Sequence, residues 1–294
     1  MSVAGRAGRG RGAAAVAFLS PAMLVIGLFT VVPIGLTFWI SLHDWSMYTA
    51  LGDMAWRGLD NYAGLLADSS FYNALANTAI YVALVVVVTV PLSIALGMLL
   101  YFPRVAGKGL VRAALFSTYV IPTVAISIVW GGLYAPEYGP LSQLFAAWNP
   151  TWLSAPDTAL VSLVIFHLWQ MTGYYTVLVI AGLTQIPGDL YEAARIDGAG
   201  LWRQTLHVTL PLLRRTTIFI GLVAIINAIQ VFDPVYILTQ GGPAESTTVL
   251  SFAIQRAAFQ HGLAGQASAM AFSLLLLLVA LGGAFLAVVR RRSA

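Results

Sequence analysis

The polar sequence Tyr-Glu-Ala-Ala-Arg-Ile-Asp-Gly-Ala occupies residues 191–199 and interrupts a chain that is otherwise mostly apolar. Pro187 suits the first turn of a short helix, because the missing N–H of proline is not needed at that position. Glu192 places negative charge near the positive end of the helix dipole. Gly198 offers a break with positive φ, and residues 201–208 can form a second short helix. The pattern predicts a helix–break–helix lying flat at the cytoplasmic membrane surface, although any long cytoplasmic loop can contain an amphipathic surface helix.

The composition of the whole chain is that of a membrane protein. Of the 294 residues 59% are apolar and only 9% are charged, and the mean hydropathy is +0.84, whereas soluble proteins have about a quarter of their residues charged. A helix of about 20 apolar residues crosses the hydrocarbon core. Six stretches are long enough: 13–41, 75–101, 112–134, 158–183, 214–238 and 264–289. The first is too long for a signal peptide and is interpreted as a retained helix bent near Pro33, so the sequence predicts an all-α polytopic membrane protein with six transmembrane helices.

Basic residues predict the orientation of these spans, because cytoplasmic loops are enriched in Lys and Arg. Two of the fifteen basic residues, Arg57 and Arg256, fall on one side. The other thirteen fall on the opposite side: Arg6, Arg9, Arg11, Arg104, Lys108, Arg112, Arg195, Arg203, Arg214, Arg215, Arg290, Arg291 and Arg292. Both termini are therefore expected in the cytoplasm. The short basic clusters suit a lipid surface, and no nucleic-acid partner is expected.

Several polar side chains lie inside the predicted spans, where burial in hydrocarbon is costly, so they mark either packing contacts or a pathway. The candidate path residues are His167, Gln170 and Tyr174 in the fourth span and Asn227, Gln230 and Asp233 in the fifth. The last three recur at intervals of three, which predicts a shared helix face. Hydroxyl residues of the third span, Thr123 among them, are interpreted as helix-packing groups. For the amides and His167 both interpretations stay open.

Sequence motifs in four regions resemble those of ABC-importer permeases. Glu192-Ala193-Ala194, Asp197-Gly198-Ala199 and Leu210-Pro211 resemble the EAA loop, through which such a permease contacts a separate ATPase. The sequences at residues 58–62, 232–236 and 241–243 resemble motifs of the carbohydrate-uptake branch. The chain is accordingly similar to a binding-protein-dependent permease of that branch, of the maltose or glycerol-phosphate type.

This resemblance implies a type I ABC-importer transmembrane domain in a bacterial inner membrane. Residues 1–72 would hold the cytoplasmic N-terminus, the first helix and an external loop. Residues 73–289 would form the core with its coupling loop at 187–211, and residues 290–294 a cytoplasmic tail. The implied partners are a second permease subunit forming a heterodimer, two ATP-binding subunits and an external substrate-binding protein. The implied substrate is a sugar or related polyol, and ATP and Mg would bind the ATPase and not this chain.

The sequence lacks the motifs that an enzyme or ATPase would need. A Walker A motif reads G-x-x-x-x-G-K-[ST], and the nearest fragment, residues 107–109, lacks the upstream Gly and the following hydroxyl. There is no cysteine, and no metal-ligand cluster is expected. The alternative function is an ion-gradient-driven secondary transporter, which would favour paired intramembrane carboxylates and an internal repeat. Only Asp233, at a helix end, approaches the first of these two requirements.

Overall fold

The computed structural model describes residues 16–101, 107–148 and 151–291. Arg6, Arg9, Arg11, Arg104 and Arg292 lie outside the described residues, as does most of the predicted cytoplasmic tail. Within the described ranges five helices are long and apolar enough to cross a membrane, and a bent pair of helices supplies a sixth span if it is counted as one. The predicted all-α architecture is confirmed, and the predicted six spans are compatible with it.

The six spans correspond to the six apolar stretches of the sequence. They are α1 (Val16–Ser41), α3 (Ser69–Tyr101), the pair α4 (Lys108–Val120) and α5 (Thr123–Leu133), α7 (Pro156–Leu183), α9 (Leu201–Ile229) and α11 (Ala264–Arg291). Shorter helices are α2 (Asp60–Ala67), α6 (Pro140–Leu144), α8 (Gly188–Ile196) and α10 (Leu250–Gln255).

The chain forms two compact units, residues 1–67 with 254–276 and residues 68–253 with 277–294. In the first unit a two-stranded antiparallel sheet, His43–Asp44 with Ala55–Trp56, follows α1. The Asn61 side chain of α2 donates hydrogen bonds to the carbonyls of Ser41 at 2.8 Å and His43 at 2.9 Å, and Tyr62 Oη lies 2.6 Å from Ser41 Oγ. These contacts show what the 58–62 motif does locally: it fastens the start of α2 to the end of α1.

In the second unit α7 is the central helix. Within its most apolar 18-residue window 61% of the residues are buried, and it packs against α3, α4 and α9. Gly97 and Gly182 permit close approach of the neighbouring helices, since an added Cβ would lie 2.8 Å from Val179 Cβ or 2.7 Å from Thr216 Oγ1 respectively. Small residues at such crossings are the usual means of tight helix packing in membranes.

The third span was predicted as one helix over residues 112–134. The structure instead has two helices, α4 and α5, that are bent by 102° relative to each other. The break lies at Ile121, which is extended, and Pro122, which has φ −55° and ψ 127°; neither is helical. Proline lacks an N–H for the helix ladder and disfavours the helical conformation of the residue before it. The bend therefore has a local cause in the sequence.

The fifth span also differs from its predicted bounds, 214–238. It begins earlier, because the second short helix expected after Gly198 is continuous with it through a π-helical segment, Thr205–Thr209. It ends earlier as well, at Ile229, and Val231 and Phe232 are not helical. Pro234 explains this end, since its ring clashes with the carbonyl four residues before it and it offers no N–H. Asn227, Gln230 and Asp233 therefore do not share one continuous helix face, and that prediction is wrong.

Candidate functional site

The first candidate site is the turn between α8 and α9. Pro187 precedes α8, and Gly198 ends it with φ +75°. The Ala199 N–H donates to the Ala194 carbonyl at 2.8 Å and the Gly198 N–H to the Arg195 carbonyl at 3.0 Å, which together form a Schellman helix end. The expected positive φ at Gly198 is thus present, and the backbone of the turn has a defined shape.

Polar contacts on the inner side of this turn fix α8 against α9. Tyr191 is buried, and its hydroxyl lies 3.1 Å from Thr209 Oγ1. The amide of the buried Gln204 donates to the Ala199 carbonyl at 2.7 Å. These two contacts hold the turn against the start of the fifth span.

The outer side of the turn is exposed and chemically mixed. Glu192, Ala193, Asp197 and Gly198 are exposed, whereas Ala194 and Ala199 are half-buried. The carboxylates of Glu192 and Asp197 form no ion pair with any described residue. Large apolar side chains lie beside them: Ile196 is 87% exposed and Trp202 73%. We call this face the coupling surface: Glu192, Ala193, Ala194, Asp197, Gly198 and Ala199 with Ile196, Leu201 and Trp202. Exposed apolar groups rimmed by charges are typical of protein interaction sites.

The second candidate site is a cavity of about 200 Å³ near the middle of α7. Five of the six predicted path residues line it: His167, Gln170, Asn227, Gln230 and Asp233. Its remaining lining residues are Thr123, Phe166, Met171, Val231, Phe232 and Pro234. The cavity thus brings together the break in the third span, the centre of α7 and the break after α9.

Some polar side chains that line the cavity are hydrogen-bonded to neighbouring helices, whereas others have no such partner among the described residues. The Gln170 amide donates to Thr123 Oγ1 at 3.1 Å, and Thr118 Oγ1 donates to the Gln170 carbonyl at 3.1 Å. The Asn227 amide donates to Tyr175 Oη at 3.0 Å and so bridges α9 to α7. His167 packs edge-on against Tyr81, with ring centroids 5.9 Å apart, and its buried Nε2 has no hydrogen-bond partner among the described residues.

The structure separates Tyr174 from the other predicted path residues. Its ring stacks on Tyr119 of α4 at a centroid distance of 4.6 Å, and it is not among the residues lining the cavity. Thr123, interpreted from the sequence as a packing residue, does line the cavity and also bonds to Gln170. The signal that could have found it is the Ile121-Pro122 dipeptide, which places Thr123 at the start of a new helix. Phe166 and Phe232 carried no sequence signal beyond hydrophobicity.

Comparison with known proteins assigns the chain to a family. Residues 61–294 match the family model described as "Binding-protein-dependent transport system inner membrane component". A probable ABC transporter permease protein, YurN of Bacillus subtilis, is 34% identical over 270 residues, covering 90% of this chain and 91% of that protein. The trehalose/maltose transport system permease protein MalF of Thermococcus litoralis is 33% identical over 234 residues, covering 79% and 78%.

Solved structures agree in fold. A bacterial ABC transporter that imports the acidic polysaccharide alginate contains a chain that matches with a TM-score of 0.81 at 19% identity, covering 96% of both chains. A second structure of an alginate transporter, in complex with an alginate pentasaccharide-bound periplasmic protein, matches with a TM-score of 0.78 at 20% identity and covers 92% of both chains.

The chain is therefore a membrane permease, and it belongs to the binding-protein-dependent transport system inner membrane components. The resemblance to ABC-importer permeases of the carbohydrate-uptake branch is confirmed. The family consists of transport subunits and not of enzymes, and its assignment removes the ion-gradient-driven alternative.

Proposed function

We propose that this chain forms one half of the translocation pathway for a sugar or related polyol, and that the cavity at α7 is part of that pathway. The observation that carries the proposal is the mixture of groups around the cavity. Gln170, Asn227 and Gln230 supply amides, and Phe166 and Phe232 supply ring surfaces. Sugar-binding sites need hydrogen-bonding groups that replace the water shell, together with apolar faces that pack against the ring carbons. The relative from Thermococcus litoralis, named for trehalose and maltose transport, supports the same class of substrate.

The coupling surface is proposed as the docking site for an ATP-binding subunit. Its exposed Ile196 and Trp202 supply apolar contact area. Glu192 and Asp197, which form no ion pair within the described ranges, supply charge for orienting the partner. Because Tyr191 and Gln204 fasten this turn to α9, a movement of the docked partner would be transmitted along α9 to its end at Ile229. Five of the cavity-lining residues lie at or just beyond that helix end, which gives a mechanical route from ATPase to pathway.

The proposed assembly contains this chain, a different second permease, two ATP-binding subunits and an external substrate-binding protein. ATP and Mg would bind the ATP-binding subunits. The family places the chain in the inner membrane, and the distribution of basic residues supports cytoplasmic termini by the positive-inside rule. The complex of the alginate transporter with its periplasmic protein supports an external partner for this chain.

The proposal is tested by purifying the chain with its proposed partner subunits and reconstituting them in liposomes. ATPase activity is then measured with the binding protein and a panel of neutral saccharides, acidic saccharides, polyols and amino acids. We expect at least one saccharide or polyol to stimulate hydrolysis and to be accumulated inside ATP-driven vesicles. Stimulation by amino acids alone, or uptake that follows a proton or sodium gradient without ATP, would contradict the proposal.

A further inference from the structure

The wall of the α7 cavity carries one carboxylate, that of Asp233, and neither Lys nor Arg lines it. The Asp233 carboxylate forms no hydrogen bond or ion pair with any described residue. The other polar lining groups are the amides, the Thr123 hydroxyl and the His167 imidazole. Within the described part of the chain, the cavity therefore offers acceptor and donor groups but no paired cation to balance a second negative charge.

The position of Asp233 follows from the break after α9. Because Pro234 disfavours a continuous helix, α9 ends at Ile229, and Val231 and Phe232 are not helical. Asp233 is half-buried at the first residue of the next helical turn. Charges in such partly enclosed sites interact more strongly than charges on an open surface, because less water screens them.

We infer that Asp233 is a specificity-determining residue that favours neutral saccharides and rejects acidic ones. The inference rests on the proposed function and adds the charge class of the substrate to it. A neutral sugar can donate hydroxyl hydrogen bonds to the carboxylate. A uronic acid in the same place would bring two carboxylates together with neither Lys nor Arg in the described lining of this cavity. Discrimination by unpaired like charges is a common means of specificity.

The test compares matched ligands on the purified transporter complex in detergent, without the binding protein, so that external selection plays no part. Maltose, trehalose and cellobiose are each paired with the counterpart in which one C6 hydroxymethyl group is oxidised to a carboxylate. Dissociation constants are measured at neutral pH by ligand-observed NMR. We expect each acid to bind about tenfold more weakly than its neutral partner, as a like-charge contact of this kind predicts.

The variant Asp233→Asn keeps the size of the side chain and removes its charge, and we expect it to reduce the ratio to about threefold or less. The matched control is Asp157→Asn, which removes an exposed carboxylate from the first turn of α7 and should leave the ratio unchanged. Melting temperatures confirm that both variants are folded.

Equal binding of acidic and neutral partners, or an unchanged ratio in Asp233→Asn, would overturn the role of Asp233 while leaving saccharide transport intact. Absence of binding by every saccharide, acidic or neutral, would overturn the proposed function together with this inference.

Discussion

Replacing Gly173 with Ala should weaken the contact between α7 and α4. Gly173 is buried, and α4 crosses it so closely that an added Cβ would overlap the carbonyl group of Leu115 and lie 3.0 Å from the Phe116 nitrogen. Because these neighbours are backbone atoms, no change of side-chain rotamer relieves the overlap. The alanine would force α4 away from α7.

The change in the free energy of unfolding is the sum of one stabilising and two destabilising contributions. Alanine gains about 1 kcal/mol over glycine from helix propensity, and forced overpacking costs about 1–3 kcal/mol, or more where backbone must shift. Displacement of α4 would also stretch the 3.1 Å bond from Thr118 to the Gln170 carbonyl, and such interhelical bonds contribute about 0.6 kcal/mol in membrane proteins. We expect a net destabilisation of about 1–3 kcal/mol.

The assay is thermal unfolding of the detergent-solubilised complex together with uptake by reconstituted vesicles. At about 2–4 °C per kcal/mol for a domain of this size, Gly173→Ala should lower the melting temperature by several degrees and reduce uptake. The control is Gly221→Ala in α9, where an added Cβ meets nothing within 4 Å, and which should be neutral or slightly stabilising. Equal melting temperatures for the two variants would refute the close packing of α4 on α7.

Three further predictions address the coupling surface, the pathway and the orientation. Glu192→Lys and Gly198→Arg should leave membrane insertion intact and abolish uptake. The first reverses a charge on the coupling surface, and the second places a bulky side chain at φ +75°. Normal ATPase association and transport in both variants would contradict the docking role. Gln230→Leu should weaken uptake several-fold at an unchanged melting temperature. Asn227→Leu loses the 3.0 Å bond to Tyr175; it should lower the free energy of unfolding by about 0.6 kcal/mol and the melting temperature by about 1–2 °C. The reverse pattern would show that Gln230 is the packing residue. Single cysteines placed near Asp60 and near Gly198 in this cysteine-free chain should react with an impermeant reagent from opposite sides of sealed cells, and labelling of both from one side would contradict cytoplasmic termini.

The sequence predicted well those features that depend on local chemistry. Pro187 and Gly198 set the bounds of α8. Proline lacks an N–H, which is not needed at a helix start, and glycine can take the positive φ at the helix end. Hydropathy located the five spanning helices and the bent pair, since the requirement for about 20 apolar residues is a property of the segment itself. The breaks at Pro122 and Pro234 were also encoded locally, and the predictions that treated these spans as continuous gave the prolines too little weight.

The tertiary structure alone decided which polar side chains meet. Gln170 bonds to Thr123, Asn227 bonds to Tyr175, and Tyr174 stacks on Tyr119 away from the cavity, although all these residues lie in similar apolar surroundings in the sequence. Lipid tails and a protein interior are about equally apolar, so hydropathy cannot tell a lipid-facing position from a helix–helix contact. Contacts between helices far apart in the chain therefore determined which of the predicted path residues line the cavity.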